Sequence, residues 1–145
     1  MNQKLNTAGM TLLEIMIVIA ILGILATIAY PSYIRYVERG DLVSAQADMM
    51  KINALLKTEQ VKNPKVDLQN VITISNELDK RVNEKYTVAL KLKEAGCPTT
   101  YCLVSTPKDS NYTLAAWMDS FGNNYSCTTA AAANGFNTSG ACEKR

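Results

Sequence analysis

"GMTLLEIMIVIAILGILATIAY", residues 9–30, holds one charged side chain, Glu14, at the head of an otherwise uncharged and mostly aliphatic run. Residues 15–34 carry no charge. As a helix rising about 1.5 Å per residue they span roughly 30 Å, the thickness of a bilayer core. Upstream lies "MNQKLNTAG", residues 1–9, short and polar with Lys4. A secretory signal places its small-residue cleavage site after the apolar run. Here the small pair Ala8-Gly9 comes before it. A cut after Gly9 leaves the apolar segment at the new N-terminus. Lys4 on the leader side fits the positive-inside rule, with the following domain on the far side of the membrane. An uncleaved single-span anchor with a short cytoplasmic tail is the plainer reading of the same residues.

Past Tyr36 the pattern changes. Leu42, Ala45, Met49, Ile52 and Leu56 recur at spacings of three and four, with Asp41, Asp48, Lys51 and Lys57 between them. That is an amphipathic helix with one buried stripe. Asn63-Pro64 ends it, because a residue before proline is pushed out of helical geometry. A continuous helix over 10–62 would be about 80 Å long. Its first half, apolar on all sides, needs lipid or other copies of itself. Its second half can pack on a domain. Gly23 weakens the helix by about 1 kcal/mol relative to alanine, and Pro31, which frees the Thr27 carbonyl, by about 3 kcal/mol. Two readings stay open: a tolerated kink, or a stretch that unwinds when copies assemble.

In the second half of the chain, "VDLQNVITISNELDKRV" places Leu68, Val71, Ile72, Ser75, Leu78 and Val82 at helical spacing, although 71–74 also suits a strand. "KYTVALKLKE" alternates Tyr86, Val88, Leu90 and Leu92 against Thr87, Ala89, Lys91 and Lys93, a half-buried strand. "TYCLVSTP", "YTLAAWMDS" and "NYSCT" read as three more, separated by turns at 108–111 and 121–123. Short turns between successive strands imply an antiparallel sheet. The expected class is α+β: a long N-terminal helix packed on a four-stranded antiparallel sheet. Trp117 is read as a sheet or core residue.

Four cysteines stand at 97, 102, 127 and 142. An even count in an exported chain favours disulfides. Three pairings are open; the sequence-local pairs Cys97–Cys102 and Cys127–Cys142 are expected. The second closes a loop of about fifteen residues, a constraint of roughly 3 kcal/mol. The chain has no histidine, so it lacks a Ser-His or Cys-His base pair and a His metal ligand. Neither a phosphate-binding glycine loop nor a C-x-x-C motif occurs. The expectation is a non-enzymatic chain with no metal or cofactor. Lys80, Arg81, Lys85, Lys91 and Lys93 could contact phosphates, but Asp79, Glu84 and Glu94 dilute them and the net charge is only +2. DNA is therefore not the expected partner. The sequons at Asn111, Asn124 and Asn137 are read as chance.

Gly9-Met10-Thr11-Leu12-Leu13-Glu14 followed by the aliphatic run resembles the prepilin cleavage motif of type IV pilins. Methionine stands at the first mature position, where phenylalanine is common. The resemblance implies that a prepilin peptidase removes the leader 1–9, cutting between Gly9 and Met10, and methylates the Met10 amine. It implies inner-membrane anchoring through 10–34, a periplasm-facing domain 35–145, and assembly into an extracellular pilus with other subunits, a major pilin among them. Glu14 would pair with the Met10 amine of a neighbouring subunit, and Gly23 and Pro31 would mark the stretch that yields on assembly. "KYTVALKLKE", "YCLVSTPKDSNYTLAAWMDSFGNNYSC" and "GACEKR" resemble the C-terminal half of PilX-type minor pilins. That implies the type IV pilin fold and a disulfide-bounded surface, 127–142, promoting aggregation and adhesion through contact with pilins on neighbouring cells. Thr128, Asn134, Phe136 and Asn137 are its expected contact residues. The Cys97/Cys102 pair is additional to the family pattern, and 128–141 is shorter and less charged. A major pilin, a type II secretion pseudopilin and a pilus-borne DNA receptor are the alternatives.

Overall fold

The computed structural model describes residues 10–75 and 80–145, with the side chains of 72–75, 80 and 81 outside that description. The leader, Gly9, Leu78 and Asp79 also lie outside it. Helix α1 runs Leu12–Lys62 and stops directly before Asn63-Pro64. The chain divides into two compact units, Met1–Tyr36 and Val37–Arg145. In the first, the large aliphatic side chains are exposed on every face, from Leu12 at 79% to Ile28 at 70%. This stretch is long and apolar enough to cross a membrane.

Within the second unit, α1 buries Leu42, Ala45, Met49, Ile52 and Leu56, the stripe read from the sequence. Helix α2, Leu68–Ser75, settles the ambiguous 71–74 stretch as helical. Helix α3 follows at Lys80–Lys85. Among the described residues the sheet is an antiparallel meander of five strands, β1 Tyr86–Leu92, β2 Tyr101–Pro107, β3 Ala115–Asp119, β4 Asn124–Cys127 and β5 Cys142–Lys144. The four-strand expectation missed β5. It is three residues long with two charged side chains, too short for alternation to register. The third strand also starts later than "YTLAAWMDS" suggests, because 112–114 serve α1 instead.

Both faces of the sheet are covered. Tyr86, Val88, Leu90, Tyr101, Leu103, Ala116 and Met118 join the α1 stripe. The opposite parity, Cys102, Val104, Ala115, Trp117 and Cys127, packs under helix α4, Ala130–Asn134, through Ala132 and Ala133. Period-two alternation puts successive side chains on opposite faces, so β3 is buried along its whole length. At the β3–β4 turn the Asp119 carboxylate accepts from the Phe121 and Asn123 amides at 3.0 and 2.8 Å. Gly122 there has φ 97°, a conformation that favours glycine.

A buried acid ties the loop before β3 to the helix. Glu38 is 4% exposed. Its carboxylate accepts hydrogen bonds from the amides of Thr113 and, at 2.7 Å, Leu114. Beside it, Tyr112 donates to Asp41 at 2.7 Å and Tyr86 donates to the Leu114 carbonyl at 3.2 Å. Lys85 sits 5.8 Å from the Tyr112 ring centre. Desolvation, then the hydrogen bond to Asp41 and the charges of Asp41, Asp109 and Glu38, push the Tyr112 phenol up to about 12. Tyr86 is raised too, first by burial and then by Glu38 and Asp41. The folded state therefore holds these protons more tightly than the unfolded chain, whose tyrosines titrate near 10. Their contribution is complete below about pH 10 and is lost as pH climbs toward the folded values. Denaturant unfolding between about pH 9 and 11.5 should show wild-type stability falling with pH more steeply than that of Tyr112→Phe. Parallel slopes would contradict the coupling.

Candidate functional site: the disulfide-bounded face and the N-terminal helix

The C-terminal face grows from one strand pair. β3 and β4 place Trp117 opposite Tyr125. Their rings stack at 4.3 Å with 7° between planes. Phe136 meets the indole edge-on, at 5.6 Å and 83°. The indole N–H, buried with its ring, donates to the Asn137 carbonyl at 2.9 Å. A buried Trp needs such an acceptor, and the loop backbone supplies it.

Cys127 is bonded to Cys142, and Cys97 to Cys102. All four sulfurs lie in the same cluster as Trp117. Between Cys127 and Cys142 the chain forms α4 rather than an open loop. Thr129 caps its first turn, its hydroxyl accepting from the Ala132 amide at 3.2 Å. Gly135 keeps φ −84°, and Phe136 takes the left-handed turn at φ 53°. A left-handed residue with a side chain costs about 1–2 kcal/mol. Here it lets the Phe136 ring fold back over Trp117 while the Phe136 and Asn137 amides donate to the Ala133 and Ala132 carbonyls, both at 3.2 Å. Gly96, immediately before Cys97, has φ 91°, and a Cβ there would sit 3.9 Å from the Phe136 ring. The turn leading into the Cys97–Cys102 bridge therefore approaches the segment closed by Cys127–Cys142.

Of the four residues expected at the surface, Thr128, Asn134 and Asn137 are exposed. Thr128 donates its amide to the Ala141 carbonyl at 2.8 Å, and the Asn134 side chain donates to the Ala130 carbonyl at 3.0 Å. Phe136 is different: it is half-buried and packs inward on Trp117. The alanine run 130–133 hid this, because small residues at helical spacing carry little amphipathic signal. The segment 128–141 presents hydroxyls and amides and contains no charged residue.

At the other end, Met10 is 63% exposed and Thr11 precedes the first helical turn. The Glu14 amide donates to the Thr11 hydroxyl at 3.3 Å, half of the reciprocal capping box that the Thr-x-x-Glu spacing permits. An acid in the first turn also complements the helix dipole. Gly23 has open space around it and Pro31 lies inside α1. Nearby, the Thr27 hydroxyl donates to the Ile24 carbonyl at 2.7 Å. The basic residues do not form a strand face: β1 ends at Leu92, and Lys93 opens a short 3-10 turn. Among the described residues no cluster of acids or cysteines could hold a metal ion.

A family model described as minor type IV pilin, PilX, matches residues 35–144. The chain belongs to the PilX family of minor type IV pilins. A second, the prokaryotic N-terminal methylation motif, matches residues 4–30. The crystal structure of the Neisseria meningitidis minor type IV pilin PilX resembles this PilX-family chain with a TM-score of 0.60 and 29% identity, covering 74% of this chain and 99% of that one. The type II secretion system core protein G of Aeromonas hydrophila is 32% identical over 123 residues, 85% of this chain and 73% of that one. A type IV major fimbrial protein FimA of Dichelobacter nodosus is 37% identical over 59 residues; the match spans 41% of this chain and 37% of FimA. The fold, a long helix on an antiparallel sheet, is the type IV pilin fold. As a PilX-family pilin with the methylation motif, the chain is a pilus subunit that assembles into filaments with other pilins.

Proposed function

We propose that this minor pilin promotes aggregation and adhesion of bacteria through the outer surface of 128–141. The observation behind the proposal is that α4 and the Cys127–Cys142 bridge hold an uncharged, hydroxyl- and amide-bearing surface over a packed aromatic layer. Charge-free polar surfaces meet partners without like-charge repulsion. Thr128, Asn134 and Asn137 form the contact, and Phe136 positions it. Before assembly, the leader is removed between Gly9 and Met10 by a prepilin peptidase, Met10 is methylated, and α1 anchors the subunit in the inner membrane with its globular unit on the periplasmic side. Within the filament, Glu14 faces the Met10 amine of a neighbour, and the Gly23–Pro31 stretch yields as the helix leaves lipid. The subunit is then displayed on the extracellular pilus and meets pilins on neighbouring cells.

Deleting the chain should abolish aggregation while filaments persist. A chain carrying Asn134→Ala and Asn137→Ala should restore incorporation but not aggregation, since neither side chain supports the core. Full aggregation with the double variant would refute the surface assignment. Mass spectrometry of the mature chain should find a methylated Met10 at its N-terminus; any other start refutes the processing step. Glu14→Ala should reduce recovery in sheared filaments at least tenfold, whereas Glu14→Asp should retain part of it. A second reading, a secretion-system pseudopilin, draws on the likeness to core protein G. It predicts that deletion blocks protein secretion and leaves aggregation intact.

A further inference from the structure

A groove of about 530 Å³ runs between the α1 residues Arg39, Leu42, Val43 and Gln46 and the β5 residues Cys142 and Glu143. Its size falls in the range of ligand-binding clefts. β5 is the last strand of the sheet, and no described strand pairs with its outer edge. The Arg145 amide donates to the Asn124 carbonyl at 2.9 Å and the Thr128 amide to the Ala141 carbonyl at 2.8 Å. Alternation along the ladder then directs Glu143 toward its partner Ser126. The backbone groups of Cys142 and Lys144 point to the open edge.

Three further observations describe what fits. Leu42, Leu114, Ala141 and the 57%-exposed Val43 supply an apolar floor. Arg39 and Arg145 stand against the single acid Glu143, and neither arginine takes part in a salt bridge among the described residues. Gln46, on the groove wall, is 7% exposed, and its amide nitrogen is buried without a partner. A buried donor left unpaired is unfavourable, and an incoming acceptor would relieve it.

We propose that this groove binds an extended acidic peptide segment of a partner protein as a strand added along β5. The peptide backbone pairs with Cys142 and Lys144, and alternate aliphatic side chains rest on the Leu42–Leu114 floor. A carboxylate of the peptide lies against Arg39 and Arg145, and a carbonyl reaches Gln46 after a small rotation of its side chain. The groove meets the proposed aggregation surface only along its rim: Thr128, Gly140 and Ala141 line it, whereas Asn134 and Asn137 do not.

The test uses the full chain in detergent micelles and a fluorescein-labelled hexapeptide, Thr-Val-Thr-Asp-Thr-Val with blocked ends, whose Val and Asp side chains share one face of the strand, read by anisotropy. Saturable binding below about 1 mM is expected. Replacing the peptide Asp by Asn, or Arg39 by alanine, should weaken it about threefold or more, the size of an exposed ion-pair effect. Gln46→Leu should weaken binding about tenfold while leaving thermal stability unchanged or higher, since it removes the orphan donor. Absence of saturation overturns the proposal. So do equal binding of the Asn peptide, loss of stability in Gln46→Leu with unaltered peptide binding, or displacement of the peptide by glucuronate at equal concentration, which would assign the groove to a sugar acid. Concentration-dependent dimerisation abolished by Arg39→Ala, with no peptide binding, would assign it to a second copy and likewise overturn the proposal.

Discussion

Trp117→Ala is expected to cost about 3–5 kcal/mol, the range for truncating a buried aromatic residue. The indole is 1% exposed, stacked on Tyr125 and capped edge-on by Phe136. Truncation would remove both ring contacts, empty the space beneath α4 and free the Asn137 carbonyl that accepts its N–H. Trp117→Phe keeps much of the packing but loses the hydrogen bond, so its cost should be smaller, about 1–2 kcal/mol. Thermal unfolding of the full chain in detergent, followed by far-ultraviolet circular dichroism, should rank the three chains wild type, Phe, Ala. If the proposed function holds, the alanine chain should also lose aggregation, although Trp117 is not itself exposed. An Ala chain as stable as wild type would mean that the aromatic layer does not carry the C-terminal face.

The second large effect is expected at Glu38. Its carboxylate answers two backbone amides, and Glu38→Ala leaves both without their acceptor. Thr113 is exposed and its amide can turn to water, whereas Leu114 is half-buried. The expected loss is therefore about 2–3 kcal/mol, between the cost of one and of two orphaned donors. Glu38→Gln retains an acceptor oxygen and should lose about 1 kcal/mol. The check is the urea midpoint of each variant at pH 8, with an unchanged denaturant slope as the sign that only stability moved. If the alanine and glutamine variants coincide with wild type, the acid is not a fastener between α1 and the loop before β3.

How far the sequence spoke depended on which interactions were local. The helix α1 was legible because its two signals, an unbroken aliphatic run and then a three-four stripe, are repeated many times over. Pro64 marked its end. Four strands were visible from alternation and turn residues, and their class followed. β5 was not, since what makes "CEK" a strand is its pairing with "NYSC", a fact of tertiary contact. Glu38 was also hidden: one acid among the charges after Tyr36 gives no sign that it will meet amides some seventy-five residues later. The inward packing of Phe136, expected as a contact residue, was hidden for a related reason. Nothing in its neighbours Gly135 and Asn137 marks the ring as packed; only the position of Trp117 draws it inward. The candidate groove left no trace in sequence at all, because its two walls come from opposite ends of the second unit.

The layering beneath 128–141 has a consequence for how this chain can diversify. Ala132, Ala133 and Phe136 pack in the cluster around Trp117 and are bound by its shape, whereas Asn134, Asn137, Thr138 and Ser139 are exposed and outside it. Two adjacent registers of one short helix and turn are thus under separate constraints. The inner one is fixed by volume, and the outer one is free to change letter by letter without disturbing the fold. The outer register can be rewritten in single steps, each leaving a foldable protein, so the surface this pilin presents can change while its fold stays the same.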